Sequence, residues 1–235
     1  EASGIPKLIV GATVVSLATT LPEMLVSAMA AAEGKMDMSI GNAIGSVTAN
    51  IGLIMVISLL CMPAVIKRRD YIGKSVLMLA AAAIIAVAGK TGSISLEVSL
   101  VLLIIFAAFL YENVKSAKRK AAIERSGRRT VKYQKSEIVQ NILKFAAGYI
   151  GIVIGAQLLV ENGSTPALHA GVSERIIGVT VIAVGTSLPE LVTTLTAIAK
   201  RQSDLSVGNI LGANILDLSL ILPLSSFISG SELPV

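Results

Sequence analysis

Shifted by 167 positions, residues 4–55 of this 235-residue chain lie without a gap on residues 171–222, and 18 of the 52 pairs are identical. Eleven of those matches are Gly, Thr, Pro, Glu, Asp, Ser or Asn. Chance similarity between two apolar stretches would match mainly Leu, Ile, Val and Ala, so the pairing reports an internal repeat. Its strongest stretch sets TTLPE (Thr19–Glu23) on TSLPE (Thr186–Glu190). Its second sets SIGNAIGS (Ser39–Ser46) on SVGNILGA (Ser206–Ala213).

How the two copies face each other follows from the segments between them. Apolar stretches of roughly 18 residues or more recur along the chain, the length that crosses a ~30 Å hydrocarbon core. We place crossings at about 7–31, 39–62, 71–89, 95–113, 137–161, 172–199 and 205–228. Charged residues make up 15% of the chain, against about 25% in a soluble domain, and they gather in the links. Five crossings separate the start of one copy from the start of the other. Five is odd, so the copies are inverted. Charge supports this independently. Residues 115–135 hold nine Lys or Arg and one Glu, and read as a solvated cytoplasmic loop. With that loop inside, 17 of the 20 basic residues fall inside and only Lys35, Lys90 and Arg175 fall outside. One missed helix would scramble the split.

The expected fold is an all-α membrane protein, an inverted-repeat transporter with broken helices and about seven transmembrane helices. Its expected parts are a first repeat at 1–113, a basic cytoplasmic loop at 114–136 and a second repeat at 137–235. The same charge distribution accounts for a pI near 9.4 with the lipid bilayer as partner and no nucleic acid. The basic run also suits anionic lipid headgroups. One cysteine and one histidine leave no disulfide framework and no Cys or His metal cluster. Cys61 reads as a small packed residue and His169 as a solvated loop residue. No nucleophile–base pair is evident, so neither an enzyme nor a cofactor is expected. Glu1–Pro6 lacks the basic region of a signal peptide. The chain does not begin with Met, and both ends are expected to be cut.

Glu23 and Glu190 lie about 16 and about 18 residues into their segments, deep in the bilayer at ~1.5 Å per residue. An unpaired carboxylate there costs roughly 3 kcal/mol or more, and no basic residue is expected at that depth. Two carboxylates at symmetric positions point to a shared cation. Pro22 and Pro189 lack the N–H that the carbonyls of Ala18 and Gly185 would otherwise accept, so each helix is expected to break there. Thr19, Thr20, Thr186 and Ser187 add hydroxyls beside the breaks, and the carbonyls of Ser16 and Ala183 lie close by. Gly41, Gly45, Gly208 and Gly212 allow helices to approach closely. Asn42 and Asn209 are placed to cap a break or to cross-link helices. Ser46 has Ala213 as its equivalent. Asn50 and Asp217 are equivalent, each 27 residues after its glutamate. Ligand sets of oxygen alone suit hard cations such as Ca²⁺ and Na⁺. A site that one Ca²⁺, Na⁺ ions or protons can neutralise, but that cannot cross empty, follows the logic of an exchanger.

At these motifs the chain resembles the sodium/calcium exchanger family of the calcium/cation antiporter superfamily, prokaryotic type. TTLPE and GTSLPE, with GNAIGS and GNILGA, look like that family's two alpha repeats. The resemblance implies a ten-helix fold, of which this chain would hold helices two to eight, in the cell membrane. It implies that Glu23 and Glu190 are the shared Ca²⁺ and Na⁺ carboxylates. Thr19 and Thr186 would serve either ion. Thr20, Ser187, Ser46 and the carbonyls of Ser16 and Ala183 would serve Na⁺. Asn50 and Asp217 would lie between the glutamates. Ala213 departs from the serine the family often carries there, so one Na⁺ position would lose a hydroxyl. The implied activity is exchange of Ca²⁺ for Na⁺ by alternating access. H⁺/Ca²⁺ or K⁺-dependent antiport is the nearest alternative, and a channel or scaffold a remote one.

Overall fold

The computed structural model of the chain describes residues 13, 15–61, 68–124, 135–230 and 233–234. Its elements begin with α1 (Ser16–Thr19) and α2 (Leu21–Ala32), then α3 (Met36–Ala49), which runs through a π-helical stretch at Asn50–Met55 into α4 (Val56–Cys61). Next come α5 (Arg68–Thr91), β1 (Ser93–Ile94), α6 (Leu96–Glu124) and α7 (Lys135–His169). The second repeat has α8 (Glu174–Ile177), a π-helical stretch at Gly178–Ile182, α9 (Ala183–Thr186), α10 (Leu188–Ala199) and α11 (Ser203–Leu216). A π-helical stretch at Asp217–Ile221 joins α11 to α12 (Leu222–Ser229), and β2 (Leu233–Pro234) pairs antiparallel with β1.

Among the described residues, five stretches are long and apolar enough to cross a membrane: Met36–Cys61, Tyr71–Thr91, Leu96–Ser116, Glu174–Ala199 and Asp204–Ser229. They match five of the seven expected crossings. The first crossing is described at residue 13 and from 15 onward, where α2 is a shorter apolar helix, and residues 7–12 and 14 lie outside the described residues. The fifth lies within α7. Polarity is arranged inside out. Leu60, Leu79 and Ile104 are exposed, while Ser16, Asn42, Glu23, Glu190 and Asp217 are buried. That is the arrangement of a chain whose solvent is hydrocarbon, in which polar side chains turn inward.

Two hydrogen bonds establish the inversion. Ser39, near the start of α3, donates to Ser225 in α12 at 2.8 Å, and Ser58 in α4 shares a bond with Ser206, near the start of α11, also at 2.8 Å. The segments 36–61 and 203–229 therefore run antiparallel. Ser39 and Ser206 are equivalent under the 167-residue shift, and so are Ser58 and Ser225. The symmetry thus continues beyond the aligned residues 4–55. Further contacts mark the two sides. Arg175 pairs with Asp37 at one end, where β1 also meets β2. Tyr71 donates to Asp204 at the other end, at 2.9 Å. Those groupings agree with the inside and outside assignments made from charge.

Several expectations need correction. Residues 115–124, expected as loop, continue α6, because Lys, Ala, Arg and Glu are strong helix formers. Residues 162–169, also expected as a link, extend α7 through Pro166. His169 is accordingly the exposed last residue of a helix, not a loop residue. Cys61 is exposed, not packed. Lys74, near one end of the expected 71–89 crossing, is 3% exposed within α5, where it donates to Asn113 of α6 and lies over the Phe109 ring. The rest of the basic run, 125–134, lies outside the described residues.

Candidate cation-binding site

Each repeat folds its signature into a broken helix. Pro22 and Pro189 stand in the first turns of α2 and α10, where a missing N–H is tolerated. The residues at the two breaks adopt nearly the same backbone, with Thr20 at φ −82° and ψ −3° and Ser187 at φ −82° and ψ 4°. Glu23 and Glu190 follow at once, each in the first helical turn, where the positive end of the helix dipole favours a carboxylate. They are 1% and 0% exposed.

Each glutamate is held by the break of the other repeat. Ser187 donates to Glu23 Oε1 at 3.1 Å, and Thr20 donates to Glu190 Oε1 at 3.3 Å. The neighbouring threonines cross in the same way. Thr186 donates to Asn42 Oδ1 at 3.0 Å, and Thr19 to Asn209 Oδ1 at 3.3 Å. Asn42 is fixed by donating to the Ser27 hydroxyl at 2.9 Å and the Glu23 carbonyl at 3.2 Å. Asn209 donates to Thr193 at 3.0 Å, and Thr193 in turn donates to the Glu190 carbonyl at 2.9 Å. The two asparagines are therefore cross-links between repeats.

The crossing of α3 with the second repeat needs glycine. A Cβ on Gly41 would stand 2.9 Å from the Arg175 carbonyl oxygen, and one on Gly45 would stand 2.6 Å from Ala183 Cβ and from the Val179 carbonyl oxygen. Only bare backbone fits this approach.

Eight buried side-chain polar atoms among the described residues have no hydrogen-bond partner. Six of them are oxygens of residues singled out from the sequence: Glu23 Oε2, Glu190 Oε2, Ser46 Oγ, Asn50 Oδ1 and both Asp217 carboxylate oxygens. Buried polar atoms are normally more than 90% paired, so this concentration calls for a ligand. Asn50 and Asp217 each begin a π-helical stretch, a feature frequent at functional sites. The stretch from Asp217 packs on α2, which carries Glu23, and the stretch from Asn50 packs on α10, which carries Glu190. Among the described residues no three Asp, Glu, His or Cys side chains form a metal cluster by themselves. The oxygens come from carboxylates mixed with hydroxyls and amides.

The sequence-picked residues differ in what they offer. The carbonyls of Ser16 and Ala183 each accept from the backbone N–H four residues on, and each shares the single hydroxyl hydrogen of Thr19 or Thr186 with Asn209 or Asn42. The four hydroxyls at the breaks act as donors, which leaves their lone pairs for a cation. Ala213 is buried and offers no side-chain oxygen where Ser46 has one. Sequence reasoning missed Ser27, Thr193 and Asn214. Ser27 has the polar Thr194 as its equivalent, a signal the repeat contained. Asn214 aligns with Val47 and gave none.

The chain matches the family described as sodium/calcium exchanger protein over residues 1–114 and 141–235. It is 33% identical over 222 residues to a membrane protein of Methanocaldococcus jannaschii, covering 94% of this chain and 71% of that one. It is 30% identical over 267 residues to the sodium/calcium exchanger MaX1 of Methanosarcina acetivorans, covering 94% and 73%. Among solved structures, the sodium-calcium exchanger NCX_Mj soaked with 2.5 mM Na⁺ and 0.1 mM Ca²⁺ superposes with a TM-score of 0.78 at 31% identity, over 99% of this chain and 73% of that one.

Proposed function

Because the chain belongs to the sodium/calcium exchanger family, whose members are cation antiporters embedded in membranes, we propose that it exchanges Ca²⁺ for Na⁺ at the site between its two repeats. The observation that carries this reading is the set of six unpartnered buried oxygens on Glu23, Glu190, Ser46, Asn50 and Asp217. Glu23 and Glu190 supply two negative charges, which one Ca²⁺ or two Na⁺ would balance. Hydroxyls of Thr19, Thr20, Thr186, Ser187 and Ser46 would complete the oxygen shell, and the carbonyls of Ser16 and Ala183 would join it once the hydroxyl hydrogens of Thr19 and Thr186 turn to Asn209 and Asn42. An empty site would leave buried carboxylates uncompensated, which disfavours its movement across the membrane without an ion. That coupling is the basis of exchange. The first repeat (1–113) and second repeat (137–235) would hold the site while peripheral helices shift to expose it to either side in turn. Residues 114–136 would lie in the cytoplasm and the protein in the cell membrane.

Ala213 favours a second reading of the co-ion. With one hydroxyl fewer on that side, H⁺ or K⁺ would replace one or more Na⁺. The experiment is Ca²⁺ uptake into proteoliposomes driven separately by Na⁺, K⁺ and pH gradients. Uptake driven by Na⁺ alone is expected. Uptake driven by a pH gradient without Na⁺ would assign proton antiport, and Ca²⁺ current with no counter-ion flux would reject exchange altogether.

A further inference from the structure

The centre of the site has one strong asymmetry besides Ala213. Asn50 in the first repeat has the carboxylate Asp217 as its equivalent. A carboxylate presents oxygen in both directions, whereas a carboxamide presents oxygen on one side and N–H₂ on the other. An amide that faced a cation with its N–H₂ would repel it. Something must therefore choose the rotamer of Asn50.

The hydrogen bonds around it make that choice in two steps. Asn50 donates from Nδ2 to Asn214 Oδ1 at 3.0 Å, and Asn214 donates from Nδ2 to Met78 Sδ at 3.7 Å. Asn50 and Asn214 are both fully buried. A thioether has no hydrogen to give and can only accept. Met78 therefore turns the N–H₂ of Asn214 toward itself, which turns Asn214 Oδ1 toward Asn50. That oxygen in turn captures the N–H₂ of Asn50. What remains is Asn50 Oδ1, which has no partner and is one of the six unpartnered oxygens of the site. The reverse arrangement would set Asn214 Oδ1 against the sulfur lone pairs and leave an N–H₂ group at the site.

We propose that Asn214 is a positioning residue that, oriented by Met78 of α5, holds Asn50 with its oxygen toward the transported cation. The inference rests on the site proposed above. It also names a link from a helix outside the two motifs to the centre of the site. Asn214 has Val47 as its equivalent in the first repeat, and Asp217, the counterpart of Asn50, has no N–H₂ to turn away.

The test compares Asn214→Val, which installs the residue found at the equivalent position, with Met78→Leu, which keeps the volume and removes the acceptor. Both are measured by Ca²⁺ uptake in proteoliposomes and by Ca²⁺-dependent thermal stabilisation of the purified protein. Asn214→Val is expected to raise the KM for Ca²⁺ about tenfold with Vmax changed far less, the size expected for one misdirected polar contact to a charge. Met78→Leu is expected to shift KM in the same direction by about two- to threefold. In an Asn50→Ala background, Asn214→Val is expected to add nothing to the loss of Ca²⁺ stabilisation. A merely structural role would give the same loss in both backgrounds, and that result would overturn the proposal. So would KM values within about 1.5-fold of wild type in both single variants. If Asn214→Val does not fold, Met78→Leu decides alone. If Glu23→Gln transports normally, the site itself is misassigned. If only the Asn214 and Met78 variants behave as wild type, the site stands and this inference falls.

Discussion

Replacing Gly45 by alanine should disable transport through geometry alone. The added Cβ would lie 2.6 Å from Ala183 Cβ and 2.6 Å from the Val179 carbonyl oxygen. Carbon atoms pack at about 3.5–4.0 Å, so α3 and the segment 178–186 must part by about 1 Å. Neither obstacle is a flexible side chain that could swing aside. Overpacking of this kind costs about 1–3 kcal/mol of stability. Its functional effect should be larger. Ala183 opens α9, and three residues later Thr186 donates to Asn42 Oδ1 at 3.0 Å. Adding about 1 Å stretches that contact to about 4 Å, past the range of a hydrogen bond. Asn42 then loses the cross-link that ties its helix to the break beside Glu190. Misplacing a site by about 1 Å costs up to roughly a hundredfold where geometry sets the rate. Gly45→Ala is therefore expected to lower Ca²⁺ uptake by about ten- to a hundredfold in proteoliposomes, with a lowered Tm. Gly52→Ala serves as the control, since its Cβ meets nothing within 4 Å, and should transport at the wild-type rate. Wild-type uptake by Gly45→Ala would refute the reasoning.

The reciprocal hydrogen bonds make a paired prediction. Ser187→Ala and Thr20→Ala each remove one bond to a buried carboxylate, about 1.5–3 kcal/mol in such contacts, and should raise the KM for Ca²⁺ to a similar degree. Effects differing by more than about tenfold would contradict the two-fold symmetry of the site. Ala213→Ser restores the hydroxyl present at Ser46 and should lower the Na⁺ concentration that half-saturates exchange. An unchanged Na⁺ dependence would remove position 213 from the site. The Arg175–Asp37 pair is half exposed, so Arg175→Ala should change stability by no more than about 1 kcal/mol in denaturant titration. A larger loss would mean that the pair fastens the repeats together.

Much of this site was legible from the repeat. Glu23, Glu190, the prolines and the hydroxyls beside them are local features, and their duplication marks them without any knowledge of the fold. The pairings were not legible. That Ser187 reaches Glu23 and Thr20 reaches Glu190 depends on how two segments 164 and 170 residues apart meet. The repeat says that the copies are inverted, not that their breaks face each other. The π-helical stretches at Asn50 and Asp217 carry no local sequence signal. Asn214 carries no such mark for a different reason: it stands where the first repeat has Val47, so the repeat does not duplicate it. Polarity alone marks 115–124 and 162–169 as links, yet both continue helices; for 115–124 the reason is composition. Lysine, arginine and alanine lengthen a helix readily once it leaves the hydrocarbon.

The central claim is that Glu23 and Glu190 together form the exchange site. It is tested most directly by Na⁺-driven Ca²⁺ uptake in proteoliposomes carrying Glu23→Gln or Glu190→Gln, each checked for a folded protein. Glutamine keeps the shape and removes one of the two charges proposed to balance Ca²⁺. The account predicts that both variants lose uptake, since each removes one of the two symmetry-related carboxylates that would flank the ion. Normal uptake by either variant would contradict it.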